Sequence, residues 1–338
     1  MKYLREDVIE LLDQYQIDKI NKTVNNCLSE NEEADTYIIK TCPKCGITHD
    51  NFVKGGFSSS GKQMIRCKCC EKKFVVDHGQ LTFHSHQKLS KWNDFIILTT
   101  KGESIKDTAV AIDVSKSTCF RMRHKLMNAL NDEADQSVLK EVVETDDTFV
   151  FYSHKGKKIE GVKGRERGGK ESKRGLSDEQ VCIIATTDRH HCAYAQSYNL
   201  AKPSKEEATL FVEHIEDEAI VMIDGLASYR QPLEDKNCNV TILKTHKKYS
   251  KEYHLNTVNS FHRRIKNQYE KYRSVASKYI NRYAALFKLQ HDTQGMSDRE
   301  IVKHVTRKLR KRITYFFIRE LTTLKTFDCV PKAYAGLI

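Results

Sequence analysis

The alternation of apolar and polar positions is most regular over residues His254 to Lys266, where it predicts an amphipathic helix. Val258, Phe261 and Ile265 recur at a spacing of three and four residues, which places them on one face of a helix. The opposite face then collects amides, an imidazole and cations, namely Asn256, Asn259, His262, Arg263 and Lys266. Such a face suits a polyanionic partner, although an ordinary surface helix of a basic protein has the same pattern.

Two segments upstream have the composition of strands and carry acidic residues. An apolar and β-branched run over Val142 to Val150 is interrupted by Asp146 and Asp147, and a buried-strand pattern over Ala219 to Ile223 leads directly into Asp224. Carboxylates at the middle of one strand and at the end of another provide the oxygen ligands that Mg²⁺ prefers and leave positions for phosphate oxygens. The pattern therefore indicates a metal-dependent phosphoryl-transfer site.

The order of elements around these acids predicts an α/β fold with an RNase H-like core. A strand is expected over Glu141 to Phe151 and a hairpin from Gln180–Thr187 and Cys192–Tyr198. A helix capped by Ser204 follows, with Glu207 in the capping-box position, and strands over 219–223 and 240–244 precede the amphipathic helix.

The cysteines of the N-terminal region form two knuckles of the type that binds zinc. Cys42 and Cys45 make the first, and Cys67 and Cys70 make the second about twenty residues later, with glycines and serines between them. Four thiolates at this spacing match a closed, tetrahedral structural Zn²⁺ site, and the pattern predicts a zinc ribbon. Cys69 offers an alternative register, and His49 and His78 are possible replacement ligands.

Residues between the ribbon and the first acidic strand predict three helices. Ser90 to Lys101 reads as a capped helix ending at Gly102, and Ser104–Ile112 with Ser115–Leu130 has the pattern of a helix-turn-helix. The second of this pair carries side chains suited to phosphate and base-edge contacts, and we expect DNA binding by Lys116, Ser117, Thr118, Arg121, Arg123 and Lys125, together with Arg263. A plain three-helix packing unit is the alternative.

Composition narrows the class of protein further. The 338 residues hold 57 lysines and arginines against 45 acids, a formal charge of +12, which favours a polyanion as partner. No apolar run is long enough to cross a bilayer and the first residues lack a signal-peptide core, so we expect a cytoplasmic protein without membrane association. Eleven cysteines, an odd number, argue against a disulfide framework.

The motifs together resemble the bacterial insertion-sequence transposases of the DDE superfamily, in the zinc-ribbon group numbered fifteen ninety-five that is related to the ISXO-type elements. The resemblance covers nearly the whole chain. It rests on the ribbon, the segment Phe83–Trp92, the helix-turn-helix, Val143–Thr148, the Asp224-Gly225 pair, His254–Lys266 and the trailing segment Arg273–Tyr283 in that order.

This resemblance implies a catalytic set for strand cleavage and strand transfer on double-stranded DNA. It places metal ligands at Asp146 and Asp224, puts an asparagine, Asn259, in the third position, and adds Lys266 seven residues later. Many relatives have glutamate where this chain has Asp147. Asp146 is the expected ligand because strand alternation sends the two neighbouring side chains to opposite faces and the family motif places the ligand there. Mg²⁺ or Mn²⁺ would be the catalytic metal, Zn²⁺ the structural one, and a homo-oligomer on nucleoid DNA the working form.

These patterns predict a sequence of domains. An N-terminal helical segment (1–35) precedes the zinc ribbon (36–80), a helix-turn-helix domain (81–138), the RNase H-like domain (139–290, with a basic loop at 153–175) and a basic helical tail (291–338). Two alternatives remain: a domesticated DNA-binding regulator that uses only the ribbon and helix-turn-helix, and a metal-dependent nuclease without strand transfer.

Overall fold

The computed structural model describes residues 39–59, 61–156, 180–243, 253–273 and 275–309, with single positions at 12, 16 and 321. The predicted N-terminal helical segment, most of the basic loop and the tail beyond residue 309 lie outside the described residues. The chain divides into two compact units, residues 1–78 and residues 79–338.

A small antiparallel sheet forms the described part of the first unit. Its strands are β1 (Phe52–Phe57), β2 (Gln63–Cys67) and β3 (Lys73–Val75), joined in the order β1-β2-β3. Phe74 on β3 is buried with Cys42 and Cys67, and the edge-on ring of Phe52 packs against it. So small a core buries little apolar surface, and a unit of this size usually depends on a metal or a disulfide.

Three helices open the second unit, and the middle pair meets at a tight turn. They are α1 (Leu89–Thr100), α2 (Ile105–Ala111) and α3 (Lys116–Ala134). Ser104 caps α2 by accepting from the Asp107 amide, and Ser115 accepts from the Thr118 amide at the start of α3. Both serines are the first residues of the predicted helical ranges, but α1 begins one residue earlier than predicted and has no side-chain cap.

The centre of the second unit is a mixed five-stranded sheet. Its strands are β4 (Val142–Phe151), β5 (Gln180–Asp188), β6 (Ala193–Gln196), β7 (Ile220–Ile223) and β8 (Asn239–Ile242), in the spatial order β6-β5-β4-β7-β8. The first three pair antiparallel, whereas β4–β7 and β7–β8 pair parallel. When the five strands are numbered from one to five along the chain, their spatial order is three, two, one, four, five. This order confirms the predicted RNase H-like core.

Helices cover this sheet and continue beyond it. Helix α4 (Lys205–Val212) has the predicted capping box of Ser204 and Glu207, and α5 (Arg230–Asp235) follows a 3₁₀ turn at Ala227–Tyr229. The amphipathic helix α6 (Asn256–Lys271) packs on β4 and β5. After a 3₁₀ turn at Ser277–Tyr279, α7 (Ile280–Asp292) packs on β6 and α3, and α8 (Asp298–Leu309) contacts α1.

Among the described residues, no helix combines the length and the apolar character needed to span a membrane.

Candidate functional site

Two aspartates occupy equivalent positions on adjacent parallel strands. Thr145 on β4 pairs with Ile223 on β7, so Asp146 and Asp224 are the next residues along each strand, and adjacent strands lie about 4.8 Å apart. Asp224 is exposed, while Asp146 is half-buried. Burial raises the pKa of Asp146 to about 6; the charge of Asp224 raises it further, and the cation of Lys266 opposes the rise. The register of the two strands thus brings two of the four predicted catalytic residues, Asp146 and Asp224, close together.

The turn after Asp224 requires a glycine. Gly225 has φ of +101°, and a Cβ atom there would lie 2.9 Å from Cγ2 of Ile242. The Leu226 amide donates to Oδ1 of Asp224 at 3.0 Å, which fixes that carboxylate at the end of its strand. A side chain at position 225 would therefore be strained twice, by its backbone angle and by its neighbour on β8.

Helix α6 faces the aspartates with both polar and buried side chains. Asn259 and Lys266 are exposed and two helical turns apart, and within the described part of the chain the Asn259 side chain has no hydrogen-bond partner. His262, predicted on the polar face, is instead buried, and its Nδ1 lies 3.7 Å from Oδ2 of Asp146. Burial, helped by the charge of Lys266, lowers the pKa of His262 to about 4, so the ring is neutral at pH 7.

Asp147 points away from this helix, as strand alternation requires. The hydroxyl of Tyr229 donates to its Oδ1 at 2.5 Å. Burial raises the pKa of Asp147 to about 7, the Tyr229 hydrogen bond opposes the rise, and the charge of Asp146 adds to it. Asp147 is therefore committed to the 3₁₀ turn that carries Tyr229, which favours Asp146 as the metal ligand.

Glu144, two positions before Asp146 on β4, holds the start of α6 in place. The sequence alone did not reveal this contact. The Glu144 side chain is 1% exposed, and its Oε2 accepts the amides of Thr257 and Val258 at 2.8 and 3.0 Å. Its Oε1 lies 2.7 Å from Nη1 of Arg189 and 3.2 Å from Nδ1 of His254.

This arrangement gives α6 a cap that comes from the sheet. The residue in the N-cap position, Leu255, has no side-chain oxygen to offer, and only the Asn256 amide meets a local acceptor, Nδ1 of His254 at 3.3 Å, among the described residues. The Glu144 carboxylate supplies the missing acceptor and places a negative charge at the positive end of the helix dipole. One contact thereby ties the start of α6 to the strand that carries Asp146. The signal in the sequence was a helix start without a capping residue.

The donor set at the aspartates fits a divalent metal ion. Two neighbouring carboxylates carry like charges that repel each other, and a hard cation between them stabilises the ionised form of both. Among the described residues, the groups of three or more cysteine, histidine, aspartate or glutamate ligand atoms within 4.8 Å of one another all lie in the cysteine-rich unit. An amide oxygen is another type of hard ligand, and Asn259 on α6 carries the one that the sequence predicted.

The cysteines of the first unit come together as their spacing predicted. The ligand atoms of Cys42, Cys45, Cys67 and Cys70 all lie within 4.8 Å of one another, and Cys42 and Cys70 are 3.8 Å apart between sulfurs. That separation matches the edge of a tetrahedron with Zn–S bonds of about 2.3 Å. His49 lies close by, with Nε2 3.2 Å from the Cys67 sulfur, and forms a second group with Cys67 and Cys69.

Hydrogen bonds prepare one of these sulfurs for metal binding. Burial acts to raise the pKa of Cys67, but the backbone amides of Cys70 and Cys69 and the ring of His49 lower it to about 6. Such N–H···S bonds stabilise thiolates, which are the form that binds zinc.

The residues predicted to bind DNA on α3 divide into two groups. Lys116, Ser117 and Arg121 are exposed, and Thr118 is half-buried with its hydroxyl 2.9 Å from that of Ser115. Arg123 is buried and donates to the carbonyl of Glu103, and Lys125 donates to the carbonyl of Phe83. The first group and Arg263 on α6 are therefore accessible at the surface, as DNA binding would require. Arg123 instead packs inside the helical region.

Comparison with known proteins places this fold and site in a class. Residues 138–292 match a family model described as an ISXO2-like transposase domain. The match begins just before β4 and ends with α7, so it contains both aspartates and α6. This match confirms, over residues 138–292, the resemblance to that group of transposases predicted from the motifs.

Solved structures of the Mos1 transposase are also similar, at low identity. A pre-cleavage Mos1 transpososome shares 13% identity over 63% of this chain and 75% of that one, with a TM-score of 0.25. A mariner Mos1 paired-end complex with Mg shares 12% identity over 64% and 75%, with a TM-score of 0.28. Scores this low carry no argument about this chain. No curated protein matches it.

Proposed function

We propose that this chain is a DNA transposase that cuts the ends of an insertion sequence and joins them to target DNA. The observation that carries the proposal is that Asp146 and Asp224 each directly follow the paired residues Thr145 on β4 and Ile223 on β7, with the charge of Lys266 acting on the pKa of Asp146. Together with the transposase-domain match over this region, it favours polynucleotidyl transfer over other phosphoryl-transfer chemistry.

Each residue of the site has a distinct part in this proposal. Asp146 and Asp224 hold Mg²⁺ or Mn²⁺, and Asn259 contributes a neutral amide oxygen as third ligand. When bound, the metals lower the pKa of the attacking water or 3′-hydroxyl and neutralise charge on the phosphate. Lys266 stabilises the charge that develops on the phosphate during in-line attack. His262, neutral and buried beside Asp146, packs the site without adding a positive charge.

The remaining segments bind and hold DNA in the proposal. Zn²⁺ occupies the four-cysteine cluster and stabilises the ribbon (36–80), and the helix-turn-helix domain (81–138) presents the exposed face of α3 to the element ends. The protein works as a homo-oligomer that brings two ends together. The RNase H-like domain (139–290) is the catalytic domain and carries the aspartate site on its sheet. The tail (291–338) has no role in the proposal.

A strand-joining assay tests the proposal and separates it from its alternatives. A labelled duplex that ends at the pre-cut 3′-hydroxyl of the flanking inverted repeat is incubated with supercoiled plasmid and Mg²⁺. The transposase reading predicts covalent transfer of the label to the plasmid, and loss of that product in Asp224→Asn. Nicking without joining would favour the nuclease, and binding without either product would favour the regulator.

A further inference from the structure

A cleft outside the aspartate site has charged lining residues that are almost all positive. It has a volume of about 850 Å³ and lies where the starts of α2 and α3 meet the C-terminal end of α6 and the 3₁₀ turn before α7. Asp107 is the one acid among its described lining residues. The accessible lining cations are Lys106, Lys155, Lys271, Arg273 and Lys278, and the buried Arg123 lies behind them.

Burial, and to a smaller extent neighbouring cations, changes the pKa of two groups at this cleft. Burial lowers the pKa of Lys155, and the charge of Arg273 lowers it further. Burial likewise lowers the pKa of His124, just behind the cleft, to about 3, with contributions from Arg282, Arg123 and Lys278. Because like charges packed at a cleft destabilise the fold unless an anion offsets them, this surface has the properties of a site for a polyanion.

The non-charged walls of the cleft are aromatic. Phe120, Tyr272, Tyr279 and Tyr283 line it, the Arg123 guanidinium lies 5.4 Å from the centre of the Tyr272 ring, and the ammonium of Lys278 lies 5.0 Å from that of Tyr279. Cations interleaved with partly accessible rings are the composition that binds a sugar–phosphate chain, because the cations contact the phosphates and the rings contact sugars or bases. An acidic protein segment would use the charge but has less need of the rings.

The cleft and the aspartates lie at opposite ends of one rigid element. Asn259 is near the start of α6 and Lys271, in the cleft, is at its end. Twelve residues of α-helix span about 18 Å, and at 3.4 Å per base pair this corresponds to about five base pairs of duplex. The exposed Lys266 lies between them along the length of the helix.

We propose that this cleft binds the phosphodiester backbone of the substrate DNA about five base pairs from the scissile phosphate. The inference rests on the proposed function and adds a second contact to it: α6 aligns the duplex by contacting the backbone at its C-terminal end and presenting Asn259 near its start. Lys106, on the first helix of the helix-turn-helix, joins the end-binding domain to this contact.

Charge reversal on the exposed rim tests the inference without touching the catalytic residues. Lys106→Glu with Arg273→Glu is compared with the matched double variant Lys202→Glu with Lys205→Glu, whose exposed lysines lie outside the cleft. Binding of a fluorescent 30-base-pair duplex is measured by anisotropy across a KCl series without divalent metal. Thermal melting confirms that both variants are folded.

The expected result is a loss of affinity of tenfold or more in the cleft variant only. The slope of log affinity against log salt should fall by about 0.9 for each phosphate contact removed, so by about 1.8 for two. Equal slopes and affinities in the two doubles would overturn the inference, because net charge alone would then explain the effect. Preferential binding of polyglutamate over the duplex by the wild-type protein would also overturn the inference. A wild-type protein that binds no DNA would instead remove the proposed function itself.

Discussion

Replacing Glu144 by glutamine isolates the contact that holds the start of α6 against the strand carrying Asp146. The substitution keeps the shape and leaves one carbonyl oxygen for the amides of Thr257 and Val258. It removes the negative charge and turns an amide NH₂ toward Arg189, whose Nη1 lies 2.7 Å from the present carboxylate. Glu144→Ala removes the acceptor altogether.

The size of the effect follows from burial. Breaking a buried ion pair by removing one partner costs about 3–5 kcal/mol. Here Glu144 is 1% exposed but Arg189 is 29% exposed and can turn to water. We therefore expect Glu144→Gln to lower the free energy of unfolding by about 2–3 kcal/mol, below the buried-pair range. The looser helix should lower the affinity for Mn²⁺ and the rate of strand cleavage by about 10–100-fold, as loss of an outer-shell partner typically does.

Two measurements separate this positioning effect from simple destabilisation. Mn²⁺ affinity is followed by the resonance signal of the free ion, and hydrogen exchange of the Thr257 and Val258 amides is followed without metal. The control is Glu207→Gln, which removes a capping carboxylate from α4 in the same unit without touching α6. Both affinity and protection should fall in the Glu144 variant only. If Glu144→Gln loses stability but keeps the Mn²⁺ affinity and the cleavage rate of the wild type, α6 is not held in place by this contact.

Four further substitutions test other parts of the structure. Cys42→Ser should release the zinc and unfold the ribbon while the second unit keeps its melting transition, and full zinc content in that variant would contradict the four-cysteine site. Asn259→Ala should abolish strand cleavage and spare end binding, whereas Lys266→Ala should slow cleavage about 100-fold; a fully active Asn259→Ala would move the third ligand elsewhere. His124 is neutral in the fold with its pKa lowered by burial to about 3, so its contribution to stability is complete above pH 6.5 and is lost as pH falls below that value. His124→Phe keeps the ring contact with Tyr279 and should resist acid better than the wild type between pH 6 and pH 4 in denaturant titrations, and an unchanged pH dependence would contradict this.

The elements with strong local signals were predictable from the sequence. Strict apolar periodicity fixed α6, the capping box fixed the start of α4, and the β-branched run before Asp224 fixed β7, because each depends on neighbouring residues only. The paired cysteine knuckles were predictable for a different reason: four ligands of one metal constrain each other through their spacing.

Features that depend on distant residues were not predictable. The sequence put His262 on the polar face, since nothing local shows that the sheet and Asp146 cover that side of α6. Arg123 was predicted to contact DNA because it is a cation on the second helix of the helix-turn-helix. Its guanidinium instead donates to the carbonyl of Glu103 and lies over the ring of Tyr272, which come from other parts of the chain. Glu144 received no part in holding α6 because its partners lie more than forty residues away.

Locating the metal tests the central claim, that Asp146 and Asp224 form a divalent-metal site, more directly than any activity. Fe²⁺ substituted for Mg²⁺ generates hydroxyl radicals with ascorbate and peroxide, which cut the polypeptide close to the bound ion, and mass spectrometry maps the cuts. We expect cuts next to Asp146 and Asp224 and at the start of α6, all suppressed by excess Mg²⁺ and absent in Asp224→Asn. Cutting that Mg²⁺ suppresses only at other parts of the chain would contradict the assignment.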